Sequence, residues 1–178
     1  MNLADKQRAI GRAALLAVPF CALVLVASFY LVPLVITLPT TAADSIAFVL
    51  RADLFVVLWL LIAISRVSYR RRHSNEDIDA AVSGPPSGAL AIQIAYLQNT
   101  LEQAFLAVVI HLTLATWLTG DALGLIVGSI VLFVIGRTAF WIGYKRGAAG
   151  RSFGMLVTML PTIAGFVLAL ILLLQGAV

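Results

Sequence analysis

The chain reads as long apolar runs broken by short polar gaps. Five runs are long enough to cross a bilayer, which needs about 20 residues each: roughly 13–37, 46–69, 90–117, 122–144 and 153–175. The runs are continuous and do not alternate, so they predict helices and not a transmembrane barrel. The polar string His73–Gly88 is the one substantial hydrophilic connector, and Pro85-Pro86 bars a helix from passing through it. Ser87 is placed to cap the helix that follows. Gly147-Ala148-Ala149-Gly150 predicts a tight turn, which makes the last two helices antiparallel neighbours. Pro161, inside the last run, predicts a kink of the sort membrane helices tolerate.

Composition turns this pattern into a fold class. Of 178 residues, 62% are hydrophobic and 11% charged; a soluble domain carries about twice that share of charge. The chain is expected to be an all-α integral membrane protein with five spans. The first span has a basic start and small residues at Thr41–Ala43, as a signal peptide does, but its apolar stretch exceeds the 7–15 residues, approximately, of such a segment. A retained helix is expected.

The basic residues set an orientation. Lys6, Arg8 and Arg12 precede the first run; Arg66 and Arg70–Arg72 close the second; Lys145, Arg146 and Arg151 lie between the fourth and fifth. With five spans all three clusters fall on one side, the cytoplasmic side by the positive-inside rule. The N-terminus is then cytoplasmic and the C-terminus outside. The net charge of +4 serves topology; no basic stripe interleaved with aromatics points to nucleic acid. Cys21 is the sole cysteine, and His73 and His111 lack ligand spacing, so no metal site is expected. Arg51 and Asp53, near the outer end of the second run, receive no role.

Polar groups inside the runs carry the candidate chemistry. Asn99 and Glu102 stand three residues apart in Tyr96-Leu97-Gln98-Asn99-Thr100-Leu101-Glu102-Gln103, on one helix face. A carboxylate at membrane depth costs about 2.5–3.5 kcal/mol on insertion scales, so it calls for a partner, a ligand or a proton. Counting in from the cytoplasmic end, Asn99 and Glu102 lie roughly 12–17 Å deep and Arg137 about 10 Å. Arg137 is therefore a candidate partner for Glu102. Arg137, Phe140 or Trp141, and Tyr144 form one stripe on the fourth run, and Arg151 sits at the start of the fifth, where a helix N-terminus already favours anions. Each group also has a plainer reading: a helix cross-link, a counter-ion, an interfacial anchor or a topology signal.

The string Tyr96–Gln103, taken with Gly136-Arg137-Thr138-Ala139-Phe140-Trp141-Ile142-Gly143-Tyr144, Arg146 and Arg151, resembles the MAPEG family, the membrane-associated proteins in eicosanoid and glutathione metabolism. The connector Glu76-Asp77-Ile78-Asp79 with Pro85-Pro86-Ser87 looks like that of bacterial members, which implies the inner (plasma) membrane. The likeness covers about residues 46–175. It implies a four-helix domain over 44–178, with 1–43 an additional N-terminal transmembrane helix and its outer loop. It further implies a homotrimer that binds glutathione between subunits and acts on small lipophilic substrates.

On that resemblance, Asn99 and Glu102 hold polar groups of glutathione, Arg137 and Tyr144 lie along it, Arg66 adds a basic position, and Arg151 stabilises the thiolate. Three positions depart from the family pattern. Ala95 stands where an arginine is usual, Gln103 where the eicosanoid enzymes often have tyrosine, and Phe140 where a tyrosine is found. The expected activity is a glutathione-dependent transferase or peroxidase. A non-catalytic lipid- or partner-binding protein, and a small proton-coupled transporter working through Glu102, are the alternatives.

Overall fold

The computed structural model describes residues 2–79, 82 and 84–176. Part of the connector and the C-terminal end, where the topology expectation places the last residue outside, lie beyond the described residues. Six α-helices follow in order: α1 (Leu3–Val35), α2 (Ala42–Ala52), α3 (Leu54–Arg72), α4 (Gly88–Leu114), α5 (Leu123–Tyr144) and α6 (Gly147–Leu174), with a 3₁₀ turn at Gly120–Ala122 before α5. The protein is an all-α integral membrane protein. Four segments are both long and apolar enough to span: α1, α2 with α3, α5 with its 3₁₀ turn, and α6. The 27 residues of α4 are also long enough, but its Gln98–Asn99 and Glu102–Gln103 make it less apolar than the others. Large apolar side chains such as Leu16, Leu34, Phe105 and Leu170 face outward, as lipid contact requires.

Three boundaries differ from the sequence expectation, each for a local reason. Helix α1 begins at Leu3, ten residues before its apolar run, because Asn2 caps it through the Asp5 N–H at 2.9 Å and solvated Lys and Arg are good helix formers. The second run is two helices, not one. It breaks at Asp53, which is 2% exposed and hydrogen-bonds His111 Nδ1 on α4 at 2.8 Å. The Gly147–Gly150 string is the first turn of α6 and not a connector; only Lys145 and Arg146 make the turn.

Gly150 of that string serves close approach instead. α5 and α6 form the most extensive helix pair. A Cβ on Gly154 would collide with the Phe140 main chain and the Gly136 carbonyl, and one on Gly143 with Gly150. Small residues one turn apart let membrane helices pack backbone to backbone. α1 lies against this pair through Ala13, Ala17 and Cys21, all buried, with Ser28 against Gly124 and Gly128. α3 packs on α4, and α4 on α6. As expected, Ser87 caps α4 by accepting the Leu90 N–H, at 3.2 Å. Asp77 fastens the connector there, accepting from the Ser87 N–H at 2.8 Å and from its hydroxyl at 2.7 Å.

Candidate functional site

A cleft of about 460 Å³ opens where the N-terminal parts of α1, α4 and α6 meet the C-terminal end of α5. Asn99, Tyr144, Arg151, Ala95, Met155 and Ile10 are among its walls. The two-residue turn after α5 and the glycine contacts behind it hold Tyr144 and Arg151 side by side. The Arg151 guanidinium lies 4.8 Å from the centre of the Tyr144 ring, a cation–π contact that orients the cation while leaving its N–H groups available. Arg151 is half-buried, at the start of α6 where the helix dipole adds to its charge. Ile10 comes from α1, so the N-terminal helix supplies part of the wall.

Arg137 stands behind this wall and is fully buried. It donates from Nη1 to Asn99 Oδ1 at 2.8 Å and from Nε to Thr158 Oγ1 at 3.1 Å; Nη2 points at Met155 Sδ, 3.8 Å away. Its guanidinium lies 4.6 Å from the Phe140 ring centre. Among the described residues no carboxylate pairs with it. A buried cation with neutral partners biases the adjoining cleft toward anions. Thr158 was not expected here; a threonine in α6 one turn beyond Gly154 is the sequence signal that marks it.

Tyr96 is a second group the sequence reading did not single out. It is buried, its hydroxyl donates to the Arg137 carbonyl at 3.3 Å, and its ring meets Phe140, Trp141 and Tyr144 at 4.8–6.4 Å between centres. This aromatic block separates the cleft from Arg66, whose guanidinium sits 4.1 Å over Trp141 on the other side. Within one chain Arg66 therefore does not reach the cleft.

Glu102 does not meet Arg137. A three-residue step turns the helix by about 60° away from full register, and that is enough to separate the pair. Asn99 faces α5, while Glu102 is exposed and accepts from Gln98 Nε2 at 2.8 Å. Asn99 has taken the place expected of Glu102. Of the residues expected from sequence, Asn99, Tyr144 and Arg151 line one cleft, Arg137 supports it, and Glu102 and Arg66 lie on outer faces of α4 and α3.

The fold and the cleft define a helical membrane protein with an arginine-bearing pocket at the basic end of its bundle. Residues 46–171 match the model of the MAPEG family, and the chain belongs to that family. No curated protein and no solved structure matches the chain. The match begins within α2, so α1 lies outside it.

Proposed function

We propose that the protein is a membrane glutathione-dependent transferase or peroxidase that acts on lipophilic electrophiles, working as a homotrimer with its basic end in the cytoplasm. The family includes glutathione transferases and peroxidases. The observation that carries this reading is the convergence of Arg151, Tyr144 and Asn99 on one cleft. Its volume lies within the ~300–1,000 Å³ usual for small-molecule sites. The donors fit the thiol-bearing end of a tripeptide: a half-buried cation, a phenol and a side-chain amide. In this reading residues 44–178 form the working bundle and 1–43 the appended helix.

Glutathione, when bound, supplies the sulfur nucleophile. Arg151 offsets negative charge at that sulfur, because a nearby cation lowers a thiol pKa from about 8.5. A depression of about two units is worth roughly 2.7 kcal/mol. Tyr144 holds the guanidinium in place, and the Asn99 amide, oriented by Arg137, is left to donate to the peptide. Met155, Leu156 and Ile10 keep the rest of the wall apolar, which suits an electrophile arriving from lipid. The trimer rests on α4. Gln98 and Glu102 are exposed on a helix at membrane depth, and such a face is far better covered by another copy than by acyl chains. Covering it is also what would bring a neighbour's Arg66 toward the cleft.

Titration of the detergent-purified protein with glutathione, followed by thiolate absorbance, tests this. Thiolate forms at neutral pH in the parent and not in Arg151→Ala, while both elute at the same size. A parent protein that neither binds nor ionises millimolar glutathione overturns the reading. It would favour a non-catalytic lipid- or partner-binding protein instead, for which Ala95 is the specific support: it puts a methyl group in the wall where the family pattern has a cation.

A further inference from the structure

At the opposite end of the bundle a cleft of about 600 Å³ lies between the end of α1, the α2–α3 junction and α5. Ile36, Phe48 and Phe55 form its sides, and Val127, Val131 and Ile135 mark its floor along α5. The one charged group on it is Arg51. Arg51 is exposed and makes no side-chain hydrogen bond or ion pair among the described residues.

The depth of Arg51 follows from the helix rise. It stands nineteen residues before Arg70, about 28 Å at the helical rise, since Asp53 at the α2–α3 junction keeps right-handed helical dihedrals (φ −66°, ψ −8°). That is close to the ~30 Å thickness of the hydrocarbon core. With Arg70–Arg72 at one membrane surface, Arg51 reaches the head-group level of the other. The floor from Val127 to Ile135 then runs about 12 Å inward, under one leaflet. A cation at head-group depth above an apolar slot has the shape and charge of an anionic amphiphile. The slot is about 20 Å along α5 from Tyr144, so it is not an arm of the Arg151 cleft. One side is Ile36, the residue that caps the end of α1, and it lies outside the family match.

We infer that this cleft holds an acyl chain of an anionic phospholipid whose phosphate pairs with Arg51. The C-cap of α1, Ile36, thereby closes one side of the lipid slot. The inference is independent of whether the Arg151 cleft binds glutathione.

The test uses the full chain in phosphatidylcholine vesicles doped with phosphatidylglycerol that carries a photoreactive diazirine in its acyl chain. Adducts should concentrate on residues 127–135 relative to Phe166 and Leu170, which are exposed apolar residues of α6. Arg51→Gln should lower the α5 adducts about fivefold, the worth of one basic contact with an anionic lipid, and leave unchanged the labelling by a second probe, phosphatidylcholine carrying the same acyl diazirine. Val131→Trp, which fills the slot, should remove both. Equal labelling of 127–135 and α6, or an Arg51→Gln protein labelled as the parent is, overturns the inference; a second copy filling the slot would give that result. Should Val131→Trp fail to fold, the parent label map and Arg51→Gln, a surface change, decide the matter alone.

Discussion

Arg137 Nη1 donates to Asn99 Oδ1 across the α4–α5 contact at 2.8 Å, and this bond fixes what Asn99 offers to the cleft. With its oxygen taken, the amide presents N–H groups. Asn99→Leu should leave a buried guanidinium N–H unpaired and cost about 1.5–3 kcal/mol, read as a lower melting temperature in detergent. Asn99→Asp should keep the bond and the stability, yet weaken binding of any anionic ligand. If Asn99→Asp destabilises as much as Asn99→Leu, the bond is not what orients the residue.

The α5–α6 contact predicts a steric effect with a functional consequence. A methyl group on Gly154 meets the Gly136 carbonyl oxygen at 2.6 Å and the Phe140 main chain. Gly154→Ala should push the helices apart at a cost of about 1–3 kcal/mol. Because Tyr144 is one turn beyond Phe140, the cleft should change too. Gly11→Ala, inside α1 where an added Cβ meets nothing within 4 Å, is the control and should melt at or slightly above the parent, since alanine is the better helix former.

Most of the fold was legible because a membrane helix announces itself locally, as a run of apolar residues with no partner needed to recognise it. What depended on distant partners was not. Asp53 reads as one polar residue in a long run; only the fold brings it to His111, 58 residues away, and breaks the helix there. The Gly147–Gly150 string has turn composition, yet its chemistry also suits a close helix crossing, and the contacts of Gly143 decide between them. At the site, spacing placed Asn99 and Glu102 on one face, but the roughly 60° between them is enough for Asn99 to look inward and Glu102 outward. Tyr144 was found from its stripe with Arg137, and Arg151 from its place at a helix start and the family resemblance, although the turn that joins them is Lys145–Arg146 and not the glycine string; Tyr96 and Thr158 were missed because a lone tyrosine or threonine in a membrane helix has many uses.

The Asp53–His111 pair predicts strong coupling between the α2–α3 break and α4. Both side chains are buried, at 2% and 3% exposure, and Asp53 Oδ2 has no hydrogen-bond partner among the described residues. Removing one member of such a pair strands the other, at about 3–5 kcal/mol. Asp53→Ala and His111→Ala should each destabilise by that order, and the double variant by clearly less than the sum, giving a coupling energy of about 0.5–3 kcal/mol in the cycle. Additive losses in thermal melts would mean that the two residues act separately.

The connector before α4 predicts an acid-sensitive helix start. Asp77 accepts from the Ser87 N–H and hydroxyl, and the N–H bond first, then the hydroxyl bond and the Arg70 charge, hold its carboxyl below the ordinary 3.8 despite its burial. A depressed folded pKa means that the unfolded state binds the proton more readily. The stabilisation is therefore complete above the ordinary value and is lost as pH falls through the lower, folded one. The protection of the Leu90 and Ala91 amides, which is their exchange rate relative to the intrinsic rate at the same pH, should be high at neutral pH and fall in that acid range. Asp77→Asn should show low protection already at neutral pH, with little further acid effect, whereas exposed Asp79→Asn should match the parent. An Asp77→Asn protein with parent-like exchange would show that Ser87 caps α4 without help from the connector.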